Sequence, residues 1–206
     1  MHDSDERYPP PICHPGTREV VIVRIMDWYG YQTQPGKPIM WVHAPAGYAR
    51  SALLSISGGR PLSETITIAY QLAASIPELI RHIDKAIKRN PMILRKALEF
   101  QLMKLIVEPF KALVNLEGMP NRLVIVDGLD ECINSNQECR VEKQYAEDQE
   151  KAQIRILDLI HTLQSHRLPL SFLILSRPEA WIKQHIQSAS FEESWRWWTY
   201  TRSGII

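Results

Sequence analysis

Arg122 to Glu131 reads RLVIVDGLDE, and the reading of this stretch decides the fold. Leu123, Val124, Ile125 and Val126 form an unbroken, mostly β-branched run bounded by Arg122 and Gly128. That is the length and composition of a central parallel strand covered on both faces. Asp127 then falls at the strand's carboxyl end, the edge outside which open α/β sheets place their ligands. Asp130 and Glu131 follow at once, so three acids within five residues gather negative charge where a divalent cation with its waters could sit. A polar turn closing a core strand is the bland alternative.

Working outward, Pro38 to Leu54 reads PIMWVHAPAGYARSALL. Ile39, Met40, Trp41 and Val42 make a second buried-strand run, a small-residue loop follows, and Ser51 opens an apolar segment. The order strand, loop, helix is that of a phosphate-binding loop, whose pattern is G-x-x-x-x-G-K-[ST]. In such a loop backbone N–H groups cradle the phosphates, the lysine reaches the outer ones and the hydroxyl holds Mg²⁺. The register here is Ala44, Pro45, Ala46, Gly47, Tyr48, Ala49, Arg50, Ser51, with both signature glycines replaced by alanine and the lysine by arginine. The pattern by itself fails; it acquires meaning from the strand of acids downstream.

Taken together, these stretches resemble the nucleotide-binding domain of NACHT-type signal-transduction (STAND) NTPases. The resemblance is strongest to the large fungal group similar to the nephrocystin-3-like N-terminal domain. CHPGTR (13–18) with Ile25, Met26, Asp27 and Trp28 is similar to the family's lead-in, and WVHAPAGYARSA to its loop. IAYQLAASIPEL and FQLMKLIVEPF are similar to the helical region, VIVDGLDEC to the acidic second motif, and LSFLILSRPE to the strand that ends in the sensor arginine. The resemblance implies a three-layer α/β P-loop NTPase sandwich with a parallel sheet and a helix-rich middle. Three core strands are expected near 39–43, 122–127 and 170–176, with the sensor-arginine strand between the other two.

Composition agrees with a globular reading. The chain has 206 residues, 45% hydrophobic and 23% charged, enough for one domain with a real core. A net charge of +1 and a pI near 7.8 give no basis for a nucleic-acid surface. Cys13, Cys132 and Cys139 are odd in number and lack C-x-x-C spacing, which suggests neither a disulfide framework nor a zinc site and makes a reducing, cytoplasmic compartment the default. No apolar run is long enough to span a membrane, and the proline-rich start is not a signal peptide.

In chain order, residues 1–15 are expected to be disordered, 16–187 to form the nucleotide-binding domain and 188–206 to be a divergent tail. Val21, Ile25 and Trp28, with Ile22 and Met26 beside them, have the spacing of an amphipathic helix. A short helix over 50–57 is stopped by Gly58-Gly59-Arg60-Pro61, and the family's second strand is missing there, a deletion of roughly 20 to 30 residues. From Ser63 to Leu116 the pattern is helical: Ile66, Ala69, Tyr70, Leu72 and Ala73 share one face, Leu79, Ile80, Ile83 and Ile87 the next, and Leu98, Leu102, Leu105 and Ile106 line a long helix between Pro91 and Pro109. Lys85, Lys88, Arg89, Arg95 and Lys96 form a basic cluster that reads as a solvated face. A charged insertion over 134–150 runs into a helix, Pro178 stands at the first position of another, and FEESWRWWTYTRSGII matches nothing in the family.

Site roles follow from the resemblance where the motif persists. Ser51 is the candidate Mg²⁺ hydroxyl and Asp127 the acid that holds Mg²⁺ through water. Asp130 or Glu131 would orient attacking water, and Arg177 would sense the outer phosphate. The cofactor implied is ATP or GTP with Mg²⁺, bound weakly, because alanine for glycine is strained wherever φ is positive and arginine is not an equivalent of lysine. The leading function is thus a nucleotide-binding signalling module with at most weak NTPase activity and protein partners, with no nucleic acid or membrane. A degenerate remnant serving as a protein-interaction scaffold is the runner-up, and a metabolic P-loop kinase ranks third. Only 29 residues follow Arg177, too few for a closing domain, so nucleotide-dependent oligomerisation of this chain is not expected.

Overall fold

A computed structural model describes residues 19–30, 37–43, 61–116, 118–131, 142–188, 195–201 and 204–205. The chain divides into two compact units. One comprises Met1–Gly58, Asn121–Cys132 and Ser171–Ile206, the other Gly59–Pro120 and Ile133–Leu170. The fold is α/β, with a small parallel four-stranded sheet and a large helical content.

The first unit is built on the sheet. Strands β1 (Ile39–His43), β2 (Arg122–Asp127), β3 (Leu170–Ser176), β4 (Trp195–Thr201) and β5 (Gly204–Ile205) are arranged β2-β3-β1-β4-β5. β1 pairs in parallel with β3, from Ile39 opposite Phe172 to His43 opposite Ser176, and with β4, from Ile39 opposite Trp195 to His43 opposite Thr199. β5 is antiparallel to β4. The three expected strands stand at their expected positions, and β3 lies between β1 and β2 as expected. Every residue of β1 and β3 is buried, as unbroken apolar runs in a doubly flanked strand should be.

One expectation about the sheet is corrected here. β2 is not a central strand: it ends the described sheet, and each of its residues is half-buried. An apolar run reports that side chains are covered, not how many strands flank the backbone. Part of that cover is α1 (Glu19–Gly30), whose Val21, Ile25, Trp28 and Tyr29 pack in one cluster with Met40, Val42, Leu123, Ile125, Leu173 and Leu175. Trp28 Nε1 donates to the carbonyl of Lys37 at 2.9 Å and the Tyr29 hydroxyl to that of Asn121 at 2.8 Å, so the helix is fixed at two points. Ile22 and Met26, grouped with that face by spacing, are 48% and 62% exposed. The divergent tail also contributes to the sheet. Part of it is β4, whose Trp195 is fully buried, and it flanks the side of β1 opposite β3.

The second unit is helical. It contains α2 (Pro61–Ser75), α3 (Glu78–Arg89), a 3₁₀ turn Pro91–Arg95, α4 (Leu98–Leu102), a π-helical turn Met103–Val107, α5 (Glu108–Lys111) and α6 (Glu142–Ser165). Ala69, Leu72, Ile76, Leu79, Leu102, Leu105, Ile106, Val107 and Phe110 are buried, and in α6 so are Leu157, Ile160 and Leu163. Tyr70 and Ile80 depart from their expected faces, at 76% and 52% exposure. Pro109 does not end the long helix: α5 continues through it. The residue lacks an N–H, and the wider π turn just before it, in which the Glu108 N–H donates to the Met103 carbonyl, relieves the ladder that a proline would otherwise break. Gln101, fully buried, ties the preceding turn down through its Nε2, which donates to the carbonyls of Lys96 at 2.9 Å and Leu94 at 3.3 Å. Among the described residues no helix is long and apolar enough to cross a membrane.

Candidate functional site

Because β1, β2 and β3 run parallel, their carboxyl ends lie at one edge of the sheet, and His43, Asp127 and Ser176 mark it. At the end of β2 the chain turns sharply. Gly128 takes φ +73°, a conformation that costs an L side chain roughly 1 kcal/mol or more. Its N–H donates to the Leu175 carbonyl at 2.9 Å, and its own carbonyl accepts from the Glu131 N–H at 2.8 Å, which closes a 3₁₀ turn over Leu129–Glu131. Leu129, fully buried, anchors the turn, and the residue after it is thereby directed toward β3.

That residue is Asp130. Its Oδ1 accepts from the backbone N–H of Arg177 at 2.9 Å and its Oδ2 lies 3.4 Å from Arg177 Nε. The carboxylate is 3% exposed and the arginine side chain 49% exposed, so the pair has one sheltered and one open partner. The acidic motif and the arginine, 47 residues apart in sequence, therefore meet side to side. Glu131, one position further, is exposed. Arg177 is held further by Ser176, whose Oγ donates to the Arg177 carbonyl at 3.0 Å and accepts from Trp41 Nε1 at 2.8 Å. Pro178 does not open α7 (Ala180–Ile186); Glu179, extended at ψ 143°, is its N-cap and accepts from the Lys183 N–H.

His43 ends β1 at this edge, 4% exposed, with its ring 4.2 Å from the Trp41 ring. Burial, and then the nearby Lys183 charge, lower its pKa to about 4. A neutral imidazole thus stands immediately before the loop. Neither this histidine nor the Trp41–Ser176 bond was singled out from sequence, where WVH read only as strand. The polar residue at the end of an apolar run was the one available signal.

The loop itself, Ala44 to Ser51, lies outside the described residues. Among the described residues no group of three or more His, Cys, Asp or Glu is placed to hold a metal ion. The three acids do not converge into a cage, because Asp130 is turned into Arg177. Asp127, the third acid, ends β2 at the same edge.

A parallel sheet whose carboxyl edge carries an acidic turn locked to an arginine makes this an α/β protein, and open sheets of that class place their ligands outside the strand ends. More particularly, the family model described as Nephrocystin 3, N-terminal matches residues 61–177, more than half of the chain, and the chain belongs to that family. The matched span runs from the start of α2 to Arg177 and so includes both halves of the Asp130–Arg177 pair. No curated protein and no solved structure matches the chain.

Proposed function

We propose that the chain is a nucleotide-binding module of a NACHT/STAND-type signalling NTPase with a P-loop sandwich fold, binding ATP or GTP with Mg²⁺ weakly and hydrolysing it little or not at all. The Asp130–Arg177 pair carries this reading. A half-exposed guanidinium held beside a buried carboxylate at the ligand edge is a cation already positioned for a phosphate.

Bound Mg-nucleotide would supply the phosphate charge to which these groups respond. Ser51 and Asp127 would hold the metal and the backbone of 44–51 would meet the phosphates. Of the two acids that could orient water, Glu131 is the better placed, since both oxygens of Asp130 engage Arg177. Arg177 can transfer its Nε from Asp130 to an outer phosphate without moving its backbone, which the Asp130–N–H bond and Ser176 fix. His43, neutral, adds no charge near the loop. Ala44, Ala49 and Arg50 would weaken the cradle, because alanine is strained wherever a phosphate loop takes positive φ and an ammonium is more compact than a guanidinium.

Titration calorimetry with Mg-ATP, Mg-ADP and Mg-GTP tests this. Binding weaker than micromolar is expected for the native chain, with a gain of tenfold or more in the triple variant Ala44→Gly, Ala49→Gly, Arg50→Lys. A scaffold that has lost the site gives no heat in either protein, and that outcome would replace the present reading with the scaffold one.

A further inference from the structure

The helical unit holds a cavity of about 680 Å³ between α3 and the π turn with α5. Its volume falls within the range of small-molecule sites. On one wall His82, Lys85 and Arg89 recur at helical spacing, so α3 presents them as a single stripe. Lys104 and Glu108 face them from the other side. Ile93, 2% exposed, contributes apolar lining, and such low-dielectric walls concentrate the field of charges around them.

The ion pairs show where positive charge is left over. Lys88, which does not line the cavity, is bonded to Asp84 at 2.6 Å. Lys104 is bonded to Glu108 within the cavity and lies 5.8 Å from the centre of the Phe100 ring. For Lys85 and Arg89 no acidic partner exists among the described residues. Lys85 and Arg89 thus face the concave side without an acid to neutralise them, whereas of the cations outside it Lys88 is paired with Asp84 and Arg81 donates to His82 Nε2.

We propose that this cavity is a binding site for a small phosphate-bearing polyanion, separate from the sheet-edge site. Lys85 and Arg89 are the primary contacts. Lys104 is a reserve cation that Glu108 holds until the ligand competes for it. The volume far exceeds one phosphate, so the ligand class is a compound with two or more phosphates, either free in solution or as the headgroup of a phosphoinositide.

The test uses the full chain and two probes. Tripolyphosphate, with citrate as a carboxylate control, is titrated calorimetrically at low and raised salt. Sedimentation is measured with phosphatidylcholine vesicles with and without phosphatidylinositol bisphosphate. Tripolyphosphate binding that weakens with salt, and weakens by tenfold or more in the double variant Lys85→Ala, Arg89→Ala, supports the site, because each charge-assisted contact is worth about tenfold. Glu108→Gln should tighten binding severalfold by releasing Lys104, an effect that a purely structural role would not produce. Loss of tripolyphosphate binding in Arg50→Ala but not in the double variant would assign that binding to the phosphate loop, so the failure of this site and that of nucleotide binding are told apart. Sedimentation confined to phosphoinositide vesicles identifies the headgroup as the source, and binding of tripolyphosphate alone identifies a soluble ligand. Equal binding by native and double-variant proteins, sensitivity to Arg50→Ala only, weaker binding by Glu108→Gln, or no binding of either probe would overturn the proposal.

Discussion

Asp130 has two oxygens and Arg177 answers both, one from the backbone and one from the guanidinium. Asp130→Ala strands the Arg177 N–H in a sheltered site and is expected to cost about 1–3 kcal/mol in urea denaturation. Arg177→Ala should cost less, since the backbone bond survives and water reaches the vacated space. Equal costs would mean that the side-chain contact, not the backbone bond, fixes the turn. Ser176→Ala likewise removes the acceptor of a buried indole N–H and should cost about 1–3 kcal/mol. His43 sets a pH dependence. Its folded pKa of about 4 lies below its ordinary value of 6.5, so the unfolded chain takes up a proton that the folded chain refuses. Stability is then whole above pH 6.5 and declines as the pH falls toward 4, by at most about 3 kcal/mol from this group. His43→Phe, which cannot titrate, should flatten that part of the stability profile; an unchanged slope between pH 6.5 and 4 would place its origin elsewhere.

At the scale of elements, β4 carries the least foreseeable prediction. Trp195 is fully buried beside β1, so Trp195→Ala should cost about 3–5 kcal/mol, the usual range for emptying a large aromatic site. Ending the chain at Ser188 removes the strand and bares one edge of β1, an invitation to edge pairing between copies. Light scattering of that truncated chain should show concentration-dependent association; a stable monomer with the native urea midpoint would show β4 to be dispensable. In contrast, Arg155 and Glu99 join α6 to α4 through two bonds of 2.6 Å, which hold the Glu99 carboxyl below its usual pKa, yet the side chains are about half exposed. Arg155→Ala should cost no more than about 1 kcal/mol, because solvent screens such pairs.

For the whole molecule the division into two units has a consequence for dissection. Neither unit is one continuous piece of chain: residues Asn121–Cys132 belong with the sheet and interrupt the helical unit in sequence. A fragment spanning 59–170 carries β2 without the body of β3, its neighbour in the sheet. Such a fragment is expected to lack a cooperative urea transition and to aggregate. Cooperative unfolding of a soluble monomer would show that the helical unit folds without the rest of the sheet.

Much of the fold was legible because apolar strands announce themselves locally. LVIV, IMWV and SFLIL are runs of strand length that no helix periodicity explains, and the acid at the end of one and Ser-Arg at the end of another marked the ligand edge. The helical faces were legible to within one or two residues, with Tyr70, Ile80, Ile22 and Met26 misassigned, because spacing fixes a stripe's direction but not its width. Ladder neighbours were not legible in the residues themselves; the place of β3 between β1 and β2 followed from the family resemblance. That β2 stands at the end of the described sheet, that WRWWTYT fills a place beside β1, and that Asp130 turns into Arg177 depend on contacts between residues far apart in sequence. Those are settled by which surfaces remain uncovered once the local elements have formed. The basic cluster makes the same point: sequence shows five cations, and only the arrangement of α3, the π turn and α5 shows which two face a cavity without an acidic partner among the described residues.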